Sequence, residues 1–174
     1  MFGTLGNRTV VKRPVNQSSG FYRLQKDLND LDTFPDTVID WPDKKNLMEF
    51  TVTVNPKNGY WAGGSFPFSF KILPDYPIKA PEVLCLRKIF HPNIDLNGKV
   101  CLNILREDYR PVLTISSIIH GLRILFTEPN PTDPLNTNAA QCMVRSQSEF
   151  ANSVRRAMQG DYVGNERYDR VLIR

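Results

Sequence analysis

One cysteine of this sequence lies in a setting where a thiol could react. Cys101 falls between His91 and Pro111, in a stretch without a clear helical or strand period. Long irregular stretches in compact domains are usually functional, but cysteine is also a common buried filler. Position alone therefore leaves a reactive and a structural Cys101 equally open. A reactive thiolate here could attack an acyl group and carry it as a thioester.

The two histidines argue against a protease-type site around this thiol. Such a site needs a histidine base that a third group orients. His91 directly precedes Pro92 in a tight turn, where a histidine more often pins the loop, and His120 falls on a predicted helix and could equally be a surface residue. Transfer from an existing thioester needs no dedicated base. It needs an exposed sulfur, a donor for the developing oxyanion and a means to deprotonate an incoming amine.

Asn93 and Asp133 could meet the last two needs. The amide NH2 of Asn93 can donate to a tetrahedral oxyanion, an interaction worth roughly 3 kcal/mol in comparable sites. Its alternative role is to hold the loop through bonds to the backbone, and both roles could coexist. Asp133 lies in a loop that three prolines stiffen, where it could orient a lysine and help it lose its proton. Its commoner alternative is turn capping.

Composition and charge are those of an ordinary single-domain protein. The 174 residues suit one domain with its own core, and the net charge of +4 is too small to argue for nucleic acid. No apolar run reaches membrane-spanning length and the start lacks a secretory pattern, so we expect a cytoplasmic and nuclear location. Cys85, Cys101 and Cys142 are therefore expected as thiols, and with the histidines they form no zinc-like spacing.

The hydrophobic pattern predicts an α+β fold, with a helix, then strands, then further helices. The first helix begins near Phe21 and ends before Pro35. Strands in an antiparallel meander are predicted at 47–54, 66–72 and 83–86, with Pro67 suggesting an edge position or a bulge. Further helices are predicted at 114–127, about 136–145 and about 148–158. Residues 1–20 are predicted to form a flexible basic extension, and residues 162–174 could be a helix or a tail.

Several motifs, in the right order, resemble the ubiquitin-conjugating enzyme family. The tripeptide His91-Pro92-Asn93, then Gly98, then Cys101 followed by leucine, has the spacing of the family's signature. The remaining matches are residues 23–31 with the first helix, 76–81 with a proline-rich loop and 129–135 with the loop before the late helices. The resemblance covers about residues 21–160, within a catalytic domain expected at 21–174.

The resemblance implies a fold and a division of labour. The fold is a four-stranded antiparallel meander flanked by an amino-terminal helix, a crossover helix and two carboxy-terminal helices. Cys101 would form the thioester with a ubiquitin-like modifier, Asn93 would support the oxyanion and the active-site loop, and Asp133 would suppress the pKa of the incoming lysine. No cofactor would be bound, because the upstream activating enzyme uses the ATP.

The resemblance also implies a docking surface for the activating enzyme and RING ligases, on the first helix and nearby loops. The residues that match it are Arg23, Lys26, Tyr76, Pro77, Ile78, Pro111 and Val112. A solvated helix face is the alternative for the two basic residues, and loop stiffness is the alternative for the prolines. We expect a monomer that binds neither nucleic acid nor membranes.

Within the family, the neddylation branch is most similar. The resemblance rests on the run from Cys101 to Ile115, on residues 128–131 and on the basic extension beginning Met1-Phe2, with Tyr109 standing where the branch usually has tryptophan. It implies that the extension, through Met1, Phe2 and Leu5, docks onto the activating enzyme and an auxiliary ligase, and that the targets are cullins. The alternatives are a solvated arm for the extension and, for the chain, an enzyme that loads ubiquitin itself or a non-catalytic module that binds ubiquitin-like proteins.

Overall fold

The structure, a computed structural model, describes residues 18–102, 105 and 107–173. Its helices are α1 (Ser19–Asn29), α2 (Ile115–Thr127), α3 (Thr137–Arg145) and α4 (Gln147–Met158). Its strands are β1 (Thr37–Asp40), β2 (Glu49–Val54), β3 (Phe66–Lys71), β4 (Glu82–Cys85), β5 (Tyr162–Val163) and β6 (Glu166–Arg167). None of the helices described is long and apolar enough to cross a membrane. Met1, Phe2 and Leu5 lie outside the described residues.

A four-stranded antiparallel sheet confirms the predicted meander. Its order is β1-β2-β3-β4, and its register pairs Phe50 with Phe70 and Phe68 with Cys85. Every second side chain of β2 and β3 is buried, as a sheet with one covered face requires. The sequence pattern does not predict β1, because this strand is short and none of its four side chains is fully buried.

Pro67 corrects the prediction that its strand lies at an edge or carries a bulge. β3 lies between β2 and β4, and Pro67 pairs with Thr53 in unbroken register. The Pro67 carbonyl accepts the Leu86 N–H at 2.8 Å. Because the N–H and C=O of a strand residue face the same neighbour, the missing N–H of Pro67 faces a position just beyond the end of β4. The proline is tolerated because no strand partner is lost there.

An aromatic cluster joins the sheet to α2 and leads to the candidate site. The rings of Phe66 and Phe126 lie 4.6 Å apart, and Trp61 meets Phe126 edge-on at 5.7 Å. The Trp61 indole N–H donates to the Phe90 carbonyl at 3.1 Å, so this buried polar atom is satisfied. Since Phe90 directly precedes His91, the core fixes the point where the signature tripeptide begins.

The crossover helix is confirmed as α2, with a capping box at its start. The Thr114 and Ser117 side chains each accept the other residue's backbone N–H. The buried apolar face of the helix comprises Ile115, Ile118, Ile119, Leu122, Leu125 and Phe126. The two carboxy-terminal helices are also confirmed. Helix α1 begins at Ser19 rather than near Phe21, because Ser18 acts as its N-cap and accepts the Phe21 N–H.

The described part of the segment predicted as a helix or a tail, residues 162–173, begins instead with a hairpin. Strands β5 and β6 are joined by a turn at Gly164, whose φ is +61°. Beyond the hairpin, the Val171 N–H donates to the Met158 carbonyl at 3.0 Å, and its own carbonyl accepts the Ser65 N–H at 2.8 Å. Val171 is 6% exposed. Long-range pairing to the body of the fold, which no local pattern reveals, therefore determines this segment.

Candidate active site

His91 is a neutral structural residue in the signature tripeptide. Its Nδ1 accepts the Asn93 N–H at 2.9 Å, so Nε2 carries the hydrogen and donates to the Leu125 carbonyl at 2.9 Å. Its ring is completely buried and stacks on Trp61 at 4.3 Å. Burial lowers the pKa of His91 to about 4, even though the bond to Leu125 raises it. The structure therefore confirms that His91 pins the loop and does not serve as a base.

Asn93 ties the signature tripeptide to the loop at 129–135. Its Nδ2–H donates to the Asn130 carbonyl at 2.7 Å, and its Oδ1 accepts the Asn130 N–H at 2.9 Å. The Pro92 carbonyl adds two bonds, from the N–H groups of Leu135 at 2.9 Å and Asn136 at 3.0 Å. Asn93 is 3% exposed. One of its two amide hydrogens is thus committed to holding the loop.

Gly98 lets a small hairpin approach β4 closely before the chain reaches Cys101. The Asp95 Oδ1 accepts the Lys99 N–H at 2.8 Å and closes this hairpin. Gly98 has a φ of +85°, and its carbonyl accepts the Cys85 N–H at 2.8 Å. A Cβ atom on Gly98 would lie 2.1 Å from the Cys85 carbonyl oxygen. Both the conformation and the contact require glycine, which accounts for its place in the signature spacing.

Cys101 lies beneath the proline-stiffened loop, next to Asp133. Its N–H donates to the Asn93 carbonyl at 2.8 Å, and its Sγ lies 3.9 Å from both the carbonyl O and the Oδ2 of Asp133. Asp133 is exposed, whereas Cys101 is only 8% exposed. The expectation of an exposed sulfur is therefore wrong for this structure, because Asp133 and its loop cover the thiol. The structure does bring all three predicted catalytic residues together.

The other cysteines and His120 take their structural alternatives. No disulfide joins the three cysteines in the part of the chain that the structure describes. Burial raises the pKa of the Cys85 thiol to about 11, which keeps it protonated at neutral pH. Cys142 lies on α3, with its Sγ 3.9 Å from the Ser153 Oγ, and like Cys101 it is 8% exposed. His120 is an exposed residue of α2. Among the described residues, no His, Cys, Asp and Glu group could hold a metal ion.

The residues predicted for the docking surface come together, but not all face solvent. Ile78 and Val112 are 77% and 78% exposed. Tyr76 is completely buried, so the prediction is corrected on this point: its side chain cannot contact a partner. The guanidinium of Arg23 is not the solvated group considered as an alternative, because it donates to the Pro111 carbonyl at 2.9 Å. Of the remaining predicted residues, Lys26 and Pro111 are exposed and Pro77 is half-buried.

Asn130 and Asp27 are contributors that the sequence reading missed. Asn130 receives the Asn93 side chain, and its own Oδ1 accepts the Thr132 N–H at 2.9 Å. An asparagine between two prolines is a turn signal that could have found it. Asp27 is 3% exposed. The sequence feature that could have revealed Asp27 is its place three residues after Leu24, on the apolar stripe of α1. A carboxylate on such a stripe is buried and therefore needs hydrogen-bonding partners.

Comparison with known proteins identifies the family. The family described as "Ubiquitin-conjugating enzyme" matches residues 23–158. The chain belongs to this family. The NEDD8-conjugating enzyme UBC12 of Yarrowia lipolytica is 48% identical over 153 residues, which are 87% of this chain and 85% of that protein. The NEDD8-conjugating enzyme Ubc12 of Arabidopsis thaliana is 47% identical over 170 residues, which are 97% of this chain and 90% of that protein.

A solved structure gives the same answer for the fold of this ubiquitin-conjugating enzyme. The structure of S. cerevisiae Ubc12 matches with a TM-score of 0.87 at 43% sequence identity, covering 91% of this chain and 87% of that chain. Family membership confirms the predicted fold and the predicted activity class, a transferase of a ubiquitin-like conjugation pathway. It also confirms the broad partner prediction of a ubiquitin-like modifier, its activating enzyme and a ligase.

Proposed function

We propose that this ubiquitin-conjugating enzyme accepts NEDD8 as a thioester on Cys101 and transfers it to a target lysine, typically on a cullin, with a RING ligase. The observation that carries the proposal is the Cys101 Sγ, 3.9 Å from the Asp133 carboxylate, under a loop tied to Asn93. The names of the two relatives above, which match most of the chain, support NEDD8 as the modifier.

In the first step, the Cys101 thiolate attacks the thioester carbonyl between the modifier and its activating enzyme. A new S–C bond forms at Cys101, the old S–C bond breaks, and the activating enzyme's thiolate leaves. Because one thioester replaces another, the exchange needs no dedicated base. Rotation of the exposed Asp133 side chain removes the Oδ2 from the Sγ, and the backbone carbonyl of Asp133, also 3.9 Å from the Sγ, requires a shift of the loop as well.

In the second step, the amine of the target lysine attacks the thioester on Cys101. The N–C bond forms, the C–S bond breaks and Cys101 leaves as a thiolate, while the amine must lose a proton. By charge alone, a carboxylate raises the pKa of a neighbouring ammonium. We therefore assign Asp133 to orienting the amine and accepting its proton, instead of the pKa suppression that the resemblance implied. Asn93 holds the loop that carries Asp133, and its second amide hydrogen could reach the oxyanion.

The remaining features of the proposal come from the family resemblance. The chain itself would bind no cofactor, and ATP would be consumed by the activating enzyme. Because Ser18 caps α1 and Ser19 and Gly20 lie in it, the catalytic domain would begin at this helix instead of at residue 21. The residues before it would form an extension whose Met1, Phe2 and Leu5 dock onto the activating enzyme and an auxiliary ligase. The enzyme would act as a monomer in the cytoplasm and the nucleus.

A loading assay tests the proposal. The protein is mixed with ATP and either the NEDD8 or the ubiquitin activating enzyme, each with its own modifier, and gels are run with and without thiol reductant. We expect a reductant-sensitive adduct with the NEDD8 pair alone. An adduct with the ubiquitin pair alone would show that the enzyme loads ubiquitin. No adduct with either pair would favour a non-catalytic module that binds ubiquitin-like proteins.

The matched variants of this assay are Cys101→Ser and Cys142→Ser. The serine oxygen at position 101 gives a less reactive oxyester, so the adduct should survive reductant. Cys142 is as weakly exposed as Cys101 but lies on α3, so Cys142→Ser should keep the reductant-sensitive adduct. A reductant-sensitive adduct that persists in Cys101→Ser would exclude this site.

A further inference from the structure

A single buried carboxylate joins three segments behind the predicted docking surface. Asp27, on the inner side of α1, is 3% exposed. Its Oδ1 accepts the Arg23 Nε–H at 2.8 Å. Its Oδ2 accepts two hydrogen bonds, one from the Tyr76 hydroxyl and one, at 3.3 Å, from the Ile115 N–H. The two oxygens of Asp27 therefore connect α1 with the loop after β3 and with the first turn of α2.

Arg23 extends this network to the loop before α2. Its two terminal nitrogens donate to the carbonyls of Pro111 at 2.9 Å and Leu113 at 3.2 Å. Its guanidinium also lies 5.8 Å from the centre of the Tyr76 ring. The third nitrogen of the guanidinium, Nε, donates to Asp27, so Asp27 holds the group in the orientation that reaches both carbonyls. Since the carboxylate is nearly fully buried, this ion pair is much less screened than a surface pair.

Two exposed apolar side chains stand on the loops that this network holds. Ile78 follows the buried Tyr76 after Pro77, and Val112 lies between the two carbonyls that Arg23 binds. The Tyr109 hydroxyl donates to the Pro77 carbonyl at 2.7 Å, which ties the two loops to each other as well. Ile78 and Val112 therefore sit on separate loops whose relative position depends on buried polar contacts.

We propose that Asp27 is a positioning residue of the docking surface. It sets the relative position of Ile78 and Val112, the exposed side chains to which the family resemblance assigns contact with the activating enzyme and the RING ligase, without touching either partner. Loops that are already ordered lose less entropy on binding, so the network raises affinity for these partners without adding contacts. This inference rests on the proposed function, and it gives Tyr76 and Arg23 a role behind the surface instead of on it.

Two variants test the network with different severity. Asp27→Asn keeps the volume but removes the charge that holds Arg23, and Tyr76→Phe removes one hydroxyl while keeping the buried ring. In the loading assay this protein is the substrate of the modifier-charged activating enzyme. We expect each variant to raise the KM for this protein, by about tenfold for Asp27→Asn, and to leave the kcat of loading nearly unchanged. Glu149→Gln is the matched control, because it removes a carboxylate from the exposed ion pair between Arg145 of α3 and Glu149 of α4 and should change neither constant.

Amide hydrogen exchange supplies a readout that does not depend on the partner. Both variants should speed exchange at Ile78, Leu113 and Ile115, while Glu149→Gln should not. An unchanged KM in both variants, or unchanged exchange at these amides, would overturn the inference. An equal fall in kcat in folded protein would overturn it too, in favour of a general structural role. If the wild type fails to load, the proposed function falls, and the exchange result still decides whether Asp27 orders these loops.

Discussion

At the scale of single residues, Asn93 connects the signature tripeptide to the loop that carries Asp133. Both polar atoms of its side chain are bonded to the backbone of Asn130, which leaves a loop-holding role as the one that the structure displays. An oxyanion role would use the remaining amide hydrogen. The two roles differ in what they predict, because loss of the loop bonds lowers stability whereas loss of an oxyanion donor does not.

Asn93→Ala should lower both stability and transfer. Removing two bonds from a buried position costs about 1–3 kcal/mol of unfolding free energy, and the released loop should slow lysine transfer. Urea unfolding and discharge of a preformed thioester to free lysine measure the two effects. Asn97→Ala, which removes an exposed asparagine from the neighbouring hairpin, is the control and should leave both unchanged. Slower transfer at full stability would point instead to direct oxyanion support.

Asp133→Ala should slow transfer to lysine far more than loading. Loading exchanges one thioester for another, whereas transfer requires the amine to lose a proton, so a proton acceptor matters only in the second step. Loss of a general base typically slows a reaction by about a hundredfold or more. Single-turnover loading and discharge give the two rates. Asp133→Asn keeps the shape without the basic oxygen: if it transfers like the wild type, Asp133 only orients the lysine, and equal slowing of both steps indicates a structural role.

At the scale of elements, the hairpin before Cys101 is set by one close approach. Gly98→Ala should destabilise the protein, because the new Cβ would meet the Cys85 carbonyl oxygen at 2.1 Å. Gly63→Ala is a matched control: its φ of +81° is close to the +85° of Gly98, but a Cβ there meets nothing within 4 Å. The control should lose about 1–2 kcal/mol from the backbone conformation. Gly98→Ala should lose clearly more in urea unfolding; equal losses would show that the contact relaxes freely.

Local signals account for the elements that the sequence predicts correctly. The apolar stripe of α2 and the alternation of β2 and β3 are visible in the sequence because each buries one face. The spacing from His91 to Cys101 is also a local signal. It predicts where the site lies in the sequence but not how its side chains are arranged. The sequence could not predict the cover over Cys101, the short strand β1 or the final hairpin, because each depends on contacts between distant segments. The edge position or bulge predicted from Pro67 is wrong because a missing N–H matters only where a partner strand faces it.

At the scale of the whole molecule, His91 couples the hydrophobic core to the site. Its ring stacks on Trp61 in the core, while its two nitrogens bond the Leu125 carbonyl of α2 and the Asn93 N–H. Only the neutral imidazole can make both bonds, because a protonated Nδ1 cannot accept the Asn93 N–H. The geometry of the site therefore depends on a buried histidine remaining uncharged.

The stability of the fold should consequently fall in mild acid. The pKa of His91 is about 4 in the folded protein and about 6.5 when unfolded, so the unfolded chain binds the proton more tightly. This histidine's contribution is complete above pH 6.5 and is lost as the pH falls towards 4, on the order of 3 kcal/mol in all. Urea unfolding at several pH values measures it. Carboxylates contribute to the same slope, so the informative quantity is the difference between the wild type and a variant.

His91→Gln supplies that difference. Glutamine can still donate to the Leu125 carbonyl but cannot take up a proton, so the variant should be less stable at neutral pH and its deficit should shrink as the pH falls. His120→Gln, which alters an exposed histidine of α2, is the control for the substitution itself and should leave the stability at neutral pH unchanged. If the His91→Gln curve runs parallel to that of the wild type, His91 accepts its proton without loss of the fold. In that case the bond from the Asn93 N–H would contribute little to stability, and the coupling between core and site would rest on packing alone.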